Sequence, residues 1–150
     1  MPNAAIDIPN LLYRYADAID AADFDGAADL FRHGWIIAEG QKIEGSKNIA
    51  SMWQSWIVMY PDGTPRTRHL TTNPIIALSN DEKTANCRSQ WTIIQATDDL
   101  PLQPIASGRY NDQFAIIDGA WCFTERNYAQ IDLVGDTSGH LKQQLAEEGS

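Results

Sequence analysis

Cysteine, histidine and basic residues are scarce in this chain, and each scarcity closes off a class of function. There are two cysteines in 150 residues. Cys87 and Cys122 stand far apart, each inside an apolar stretch that reads as a strand, with no CxxC pair. That spacing gives neither a disulfide framework nor a thiolate zinc site, and it predicts buried thiols in a reducing cytoplasm. The three histidines, His33, His69 and His140, have no metal-ligand spacing on one element. HExxH, a P-loop, GxGxxG and GxSxG are all missing, so the sequence predicts a protein that needs no metal and no cofactor. Eleven Lys and Arg face twenty Asp and Glu, for a net charge of −9. That field repels a phosphate backbone and argues against a nucleic-acid partner. No stretch approaches the ~20 apolar residues of a membrane helix; the longest are fragments such as Trp56-Ile57-Val58-Met59-Tyr60. The start, MPNAAIDIPN, has neither a basic cluster nor a long apolar run. No secretory signal or membrane contact is expected, and the predicted location is the cytoplasm.

A hydrophobic share of 43% with 21% charged residues suits one folded domain over residues 1–150. Its expected core spans about 8–133, with a short, acidic, helix-compatible C-terminal tail over 134–150. Ile8, Leu11, Leu12, Tyr15, Ala16 and Ile19 recur at helical spacing, with Asp7 as the expected cap and an end near Ala22. A short helix is predicted from Asp25 to Phe31, a brief strand from Trp35 to Glu39, and a loop or hairpin between Gly40 and Gly45. Ser46 is the expected cap of a third helix with the stripe Ile49, Met52, Trp53, Trp56 and Tyr60, stopped by Pro61-Asp62-Gly63-Thr64-Pro65. From Arg66 the period becomes two. Strands are predicted over 67–79, 83–97, 104–117 and 120–131, and Asp118-Gly119 marks a hairpin. Helices first and strands later predict an α+β fold with helices over a curved, antiparallel-rich sheet. Such a cone has an apolar interior suited to a small ligand.

Four residues could carry chemistry. Alternation places His69 on one strand face with Thr67, Thr71 and Asn73. It reads either as a satisfied histidine or as a general base titrating near working pH. Asp20 sits at the flank of the first helix's apolar arc and reads as a solvated carboxylate or as a partner for a base. Tyr15, on the core side of that helix, reads as packing or as a hydroxyl donor. Arg126 ends the last strand. Strict alternation puts it opposite Trp121 and Phe123, so a pocket role for it requires a bulge or a pocket on that face. His33 reads as a turn residue and His140 as part of the polar tail.

Three segments carry a resemblance when taken together. They are Arg14-Tyr15-Ala16-Asp17-Ala18-Ile19-Asp20 followed by Asp23-Phe24-Asp25, Thr67-Arg68-His69-Leu70-Thr71-Thr72-Asn73, and Asp118-Gly119-Ala120-Trp121-Cys122-Phe123-Thr124-Glu125-Arg126. From about Ile8 to Leu133 the chain resembles the SnoaL-like branch of the NTF2-like superfamily, in particular its scytalone dehydratases, bile-acid 7α-dehydratases and hexachlorocyclohexane dehydrochlorinases. The resemblance implies an α+β cone with the site inside it. It also implies His69 as the base, Asp20 as the residue that holds it, and Tyr15 and Arg126 as polar partners of the substrate. Trp53, Trp56, Asn73, Ser89, Trp91, Tyr110 and Phe114 are the expected pocket residues. A second histidine that scytalone dehydratase carries on the strand matching 83–97 is replaced here by Ser89 or Gln90.

The implied function is a cofactor-independent lyase, dehydratase-like, or an isomerase, acting on a small hydrophobic, ring-containing molecule. The alternative is a non-catalytic module. That could be a structural partner like the β subunits of ring-hydroxylating dioxygenases, which share the cone and an Arg-His-Leu strand, or a small-ligand-binding protein. The same resemblance implies self-association, trimer before dimer.

Overall fold

The computed structural model describes residues 1–143. Helix α1 (Ala4–Asp20) buries Ile8, Leu11, Leu12, Tyr15, Ala16 and Ile19, the stripe expected from its spacing. Fully burying an Ile or Leu contributes about 1.5–3 kcal/mol, so this stripe fixes the helix on the sheet. The cap is Asn3, whose side chain accepts from the Ala5 N–H. Asp7, the expected cap, lies inside the helix and accepts from the Asn3 N–H at 2.8 Å. The pair satisfies two end groups reciprocally. Helix α2 (Phe24–Asp29) is capped by Asp23. Strands β1 (Trp35–Ala38) and β2 (Gln41–Glu44) settle the region between Gly40 and Gly45 as a hairpin arm. Helix α3 (Ser46–Trp56) has Gly45 in the cap position and Ser46 as its first helical residue, and it stops before Tyr60.

Four long strands follow: β3 (Thr67–Leu78), β4 (Thr84–Gln95), β5 (Gln103–Ile117) and β6 (Ala120–Val134). The sheet order is β2-β1-β6-β5-β4-β3, antiparallel except for β1 beside β6. Asp118 and Gly119 turn β5 into β6 at φ 51° and 83°, the left-handed pair that a tight hairpin demands. Register shifts interrupt the β3–β4, β4–β5 and β5–β6 ladders. Each inserted residue sharpens the local twist, and together they curl the sheet. Helix α1 packs on β3 and β6, and α2 packs on α3. The result is an α+β cone with helices over the concave face of a mixed, mostly antiparallel sheet.

The stretch after β6 does not trail away as a polar tail. Val58 donates its N–H to the His140 carbonyl at 2.7 Å, Lys142 donates to the Trp56 carbonyl at 2.8 Å, and Ile57 bridges to Leu141. Tyr60 and Gln95 both donate to the Gly139 carbonyl, at 2.5 and 2.8 Å. This segment lies against the chain that leaves α3, beside the open end of the cone. The rest of the expected tail, 144–150, lies outside the described residues. Among the described residues no helix is long and apolar enough to cross a membrane.

Candidate active site

Asp20 is the last residue of α1, whose final turn has no basic residue. A carboxylate there faces the negative end of the helix dipole, an unfavourable place by about 0.3–1 kcal/mol unless donors compensate. Strand β3 supplies them. Thr67 donates its hydroxyl to Asp20 Oδ1 at 2.9 Å, the His69 N–H donates to Oδ2 at 2.7 Å, and the His69 ring meets Oδ1 through Nδ1 at 2.6 Å. An ionised carboxylate only accepts, so the geometry sets the Nδ1–H tautomer and leaves a lone pair on Nε2. The His69 and Asp20 side chains are 8% and 12% exposed. They are dry enough to hold one geometry.

The cavity that His69 lines measures about 150 Å³ and has mostly apolar walls. A dry void of that size accommodates a single benzene-sized ring. Its walls include Ile19, Trp53, Trp56, Ile57, Trp91 and Ile93. Trp91 reaches its place because Gly108 lies opposite it: a Cβ at Gly108 would stand 2.6 Å from the indole. A second polar group in the same walls is built from hydroxyls. Tyr15 and Tyr128 share a hydrogen bond, and the Trp53 indole N–H donates to the Tyr128 hydroxyl at 3.1 Å. Burial raises Tyr15, Tyr110 and Tyr128 above the usual phenol range, so these hydroxyls keep their protons and remain donors.

Of the residues expected at the site, His69, Tyr15, Trp53, Trp56, Trp91 and Tyr110 line the cavity, and Asp20 stands behind His69. Four lie elsewhere. Arg126 is fully buried beneath the aromatic wall, its guanidinium 3.7 Å from the Tyr110 ring and 4.3 Å from the Tyr15 ring. It makes two hydrogen bonds of 2.8 Å to Asp112. Burial opposes its charge, but Asp112's charge and hydrogen bonds outweigh that and hold the guanidinium well above its ordinary range. Arg126 therefore meets no ligand directly, contrary to the substrate-contact role expected of it. Asn73 is exposed and donates to Gln90, because the β3 bulge after Thr72 breaks the alternation that grouped it with His69. Ser89 faces inward but is sealed below the cavity. Phe114 packs on Phe123, ring centroids 4.6 Å apart, in the closed core.

Tyr128 and His140 are among the cavity residues that the sequence reading missed. Tyr128 was detectable in principle, since it lies two positions from Arg126 on the same strand. His140, expected in a polar tail, is 4% exposed, lines the cavity and stands against His69 with ring centroids 6.0 Å apart. Among the described residues no three His, Cys, Asp or Glu side chains are grouped to hold a metal ion.

Comparison with known proteins now has a geometry to bear on. The Mycobacterium tuberculosis protein Rv3472, of unknown function and solved as a single-substitution variant, is 26% identical with a TM-score of 0.69, covering 89% of this chain and 75% of that one. A Novosphingobium aromaticivorans protein provisionally assigned as a scytalone dehydratase is 20% identical with a TM-score of 0.68, covering 96% of this chain and 92% of its own. Another from that organism, provisionally assigned as an aromatic ring hydroxylase, is 19% identical with a TM-score of 0.67, covering 89% and 94%. Other similar structures carry a cystatin-like or NTF2-like fold, which is the cone described above. A search of curated proteins finds no match. Residues 4–127 match the SnoaL-like domain. The chain belongs to that family, which includes polyketide cyclases and dehydratases.

Proposed function

We propose that this protein is a cofactor-independent lyase or isomerase that moves a proton on a small, ring-containing, largely hydrophobic molecule. The observation that carries this reading is the threefold clamp on Asp20, which fixes the His69 tautomer at the wall of a cavity of single-ring size. Through Nε2, His69 takes a proton from a carbon activated by a carbonyl or a leaving group on the ring. Asp20 stabilises the imidazolium that forms. Tyr15, hydrogen-bonded to Tyr128, donates to the oxygen on which negative charge develops. The imidazolium then returns its proton, either to a departing hydroxyl, which completes elimination, or to another carbon, which completes isomerisation. Arg126 acts through Tyr15. Its positive charge under that ring opposes the upward push of burial on the phenol and makes it a better donor. Dry walls of tryptophan and isoleucine strengthen each of these interactions.

The test uses His69→Ala, Asp20→Asn and the double variant on a panel of small cyclic ketones that carry a β-hydroxyl. Each single change should lower turnover roughly 10²–10⁴-fold, and the double variant should be little worse than the poorer single one. Full turnover in His69→Ala would sink the reading. A non-catalytic ligand-binding module would instead return every ring unchanged from the wild-type protein. The self-association implied by the family belongs to the same proposal. Light scattering should give a multiple of the monomer mass, trimer first, and a monomer at micromolar concentration would overturn it.

A further inference from the structure

His140 is a buried histidine that the proton transfer above does not use. It reaches the cavity from the segment after β6, and its Nδ1 has no hydrogen-bond partner among the described residues. An unpartnered polar atom in such a place is costly, because it has lost its water and gained no partner. Nothing in the segment relieves that cost by turning the ring to solvent. The backbone on either side is held by hydrogen bonds from Val58, Tyr60 and Gln95, so the ring is kept where it is.

We infer that His140 is a binding residue for a hydroxyl group carried by the ring that the cavity takes, placed beside the carbon on which His69 acts. This rests on reading the cavity as a ring site and adds the substrate class: a hydroxylated ring. A neutral imidazole offers one donor and one acceptor whichever tautomer it adopts. The unpartnered Nδ1 donates in one tautomer and accepts in the other; a hydroxyl meets either case, whereas a carbonyl meets only the first. The ionisable groups facing His140 are His69 and, behind it, Asp20. Burial first, and the charge of His69 second, push His140 down to about 4, with Asp20 opposing. It therefore stays neutral at working pH. Two adjacent imidazoles then divide the work: His69 accepts the proton and becomes a cation, while His140 stays uncharged and holds the hydroxyl.

The experiment pairs phenol with toluene, which have nearly the same shape and differ by hydroxyl for methyl. Calorimetry on the wild-type protein, His140→Leu and His140→Gln gives the phenol-to-toluene affinity ratio, and imidazole ¹⁵N shifts report His140 directly. The ratio should fall about tenfold in His140→Leu, mainly through weaker phenol binding, and recover in part in His140→Gln. In the wild type, the His140 ¹⁵N signals should move with phenol and not with toluene. An unchanged ratio in His140→Leu, or no ¹⁵N response to phenol, would overturn this inference while leaving the ring site and the His69 base standing. A wild-type protein that binds neither ring would overturn both.

Discussion

Two carboxylates in this protein hold a nitrogen base at hydrogen-bond distance, and their surroundings set them apart. Asp112 grips Arg126 through two bonds at full burial, roofed by Tyr15 and Tyr110 and closed below by Phe123. Asp20 grips His69 at the edge of a cavity, and the imidazole lines that cavity. The first pair joins a permanent cation to a site that no ligand enters. The second joins an imidazole to the wall of an open cavity. Pairing chemistry alone does not tell the two pairs apart; the cavity that the His69 ring lines does. One cone thus hosts both pairs within a few strands.

The largest effect expected from breaking this comparison is on the sealed pair. Arg126→Met or Asp112→Asn alone strands a buried partner and should lower stability by about 3–5 kcal/mol in urea unfolding. The double replacement Arg126→Met with Asp112→Leu should recover most of that loss, because an apolar pair of similar volume removes both charges. Asp20→Asn and His69→Ala should cost clearly less, since both groups border open volume. Equal losses at the two pairs would erase the distinction drawn here.

The next effect sharpens the comparison on the cavity side. His140 has its folded value lowered to about 4 from an unfolded value near 6.5. Between those values the unfolded chain binds more protons than the folded one, so stability rises with pH. The contribution is whole above about pH 6.5 and is lost as pH falls toward 4, up to about 3 kcal/mol. Urea unfolding at steps from pH 7.5 to 4.5 should show this loss, and His140→Gln should flatten that part of the profile. An identical profile in the variant would place the acid sensitivity elsewhere.

How far these regions could be read in the sequence follows from the range of the interactions that make them. The stripe Ile8 to Ile19 and the turn Asp118-Gly119 are local patterns, and both stand in the structure where the spacing put them. The contact of Asp20 with His69 spans 49 residues and no period encodes it; only the family resemblance suggested it. Arg126 shows where alternation fails. The β5–β6 register skips a residue at Thr124, between Phe123 and Glu125. That bulge turns Arg126 to the same interior as Phe123, yet it delivers the side chain under the ring wall rather than into the cavity. A bulge is invisible to a period-two reading. His140 was illegible for another reason. Its burial is created by residues 140–142 pairing with 56–58, and nothing within a few positions of it is apolar except Leu141.

The smallest effect is chemical, and it probes how well the sealed side is closed. Cys87 lies opposite Asp112 in the β4–β5 register. Burial, with the charge of Asp112 adding to it, pushes its thiol up to about 11. At pH 8 a thiol with that value is about one part in a thousand thiolate, against about a quarter for a free cysteine, and the thiolate is the nucleophile. Iodoacetamide should therefore label Cys87 in the native protein at least a hundredfold more slowly than in urea, as read by peptide mass spectrometry. Steric closure acts in the same direction, so a second arm changes the charge near the thiol and is read only if the variant stays folded. Asp112→Asn removes the nearby negative charge and leaves the Arg126 cation without its partner, and both changes favour the thiolate. If the variant remains folded by circular dichroism, its Cys87 should react faster than in the wild type throughout pH 7 to 8. Equal labelling rates in the two folded proteins would mean that packing alone protects the thiol, and the electrostatic half of the contrast between the two pairs would fall with it.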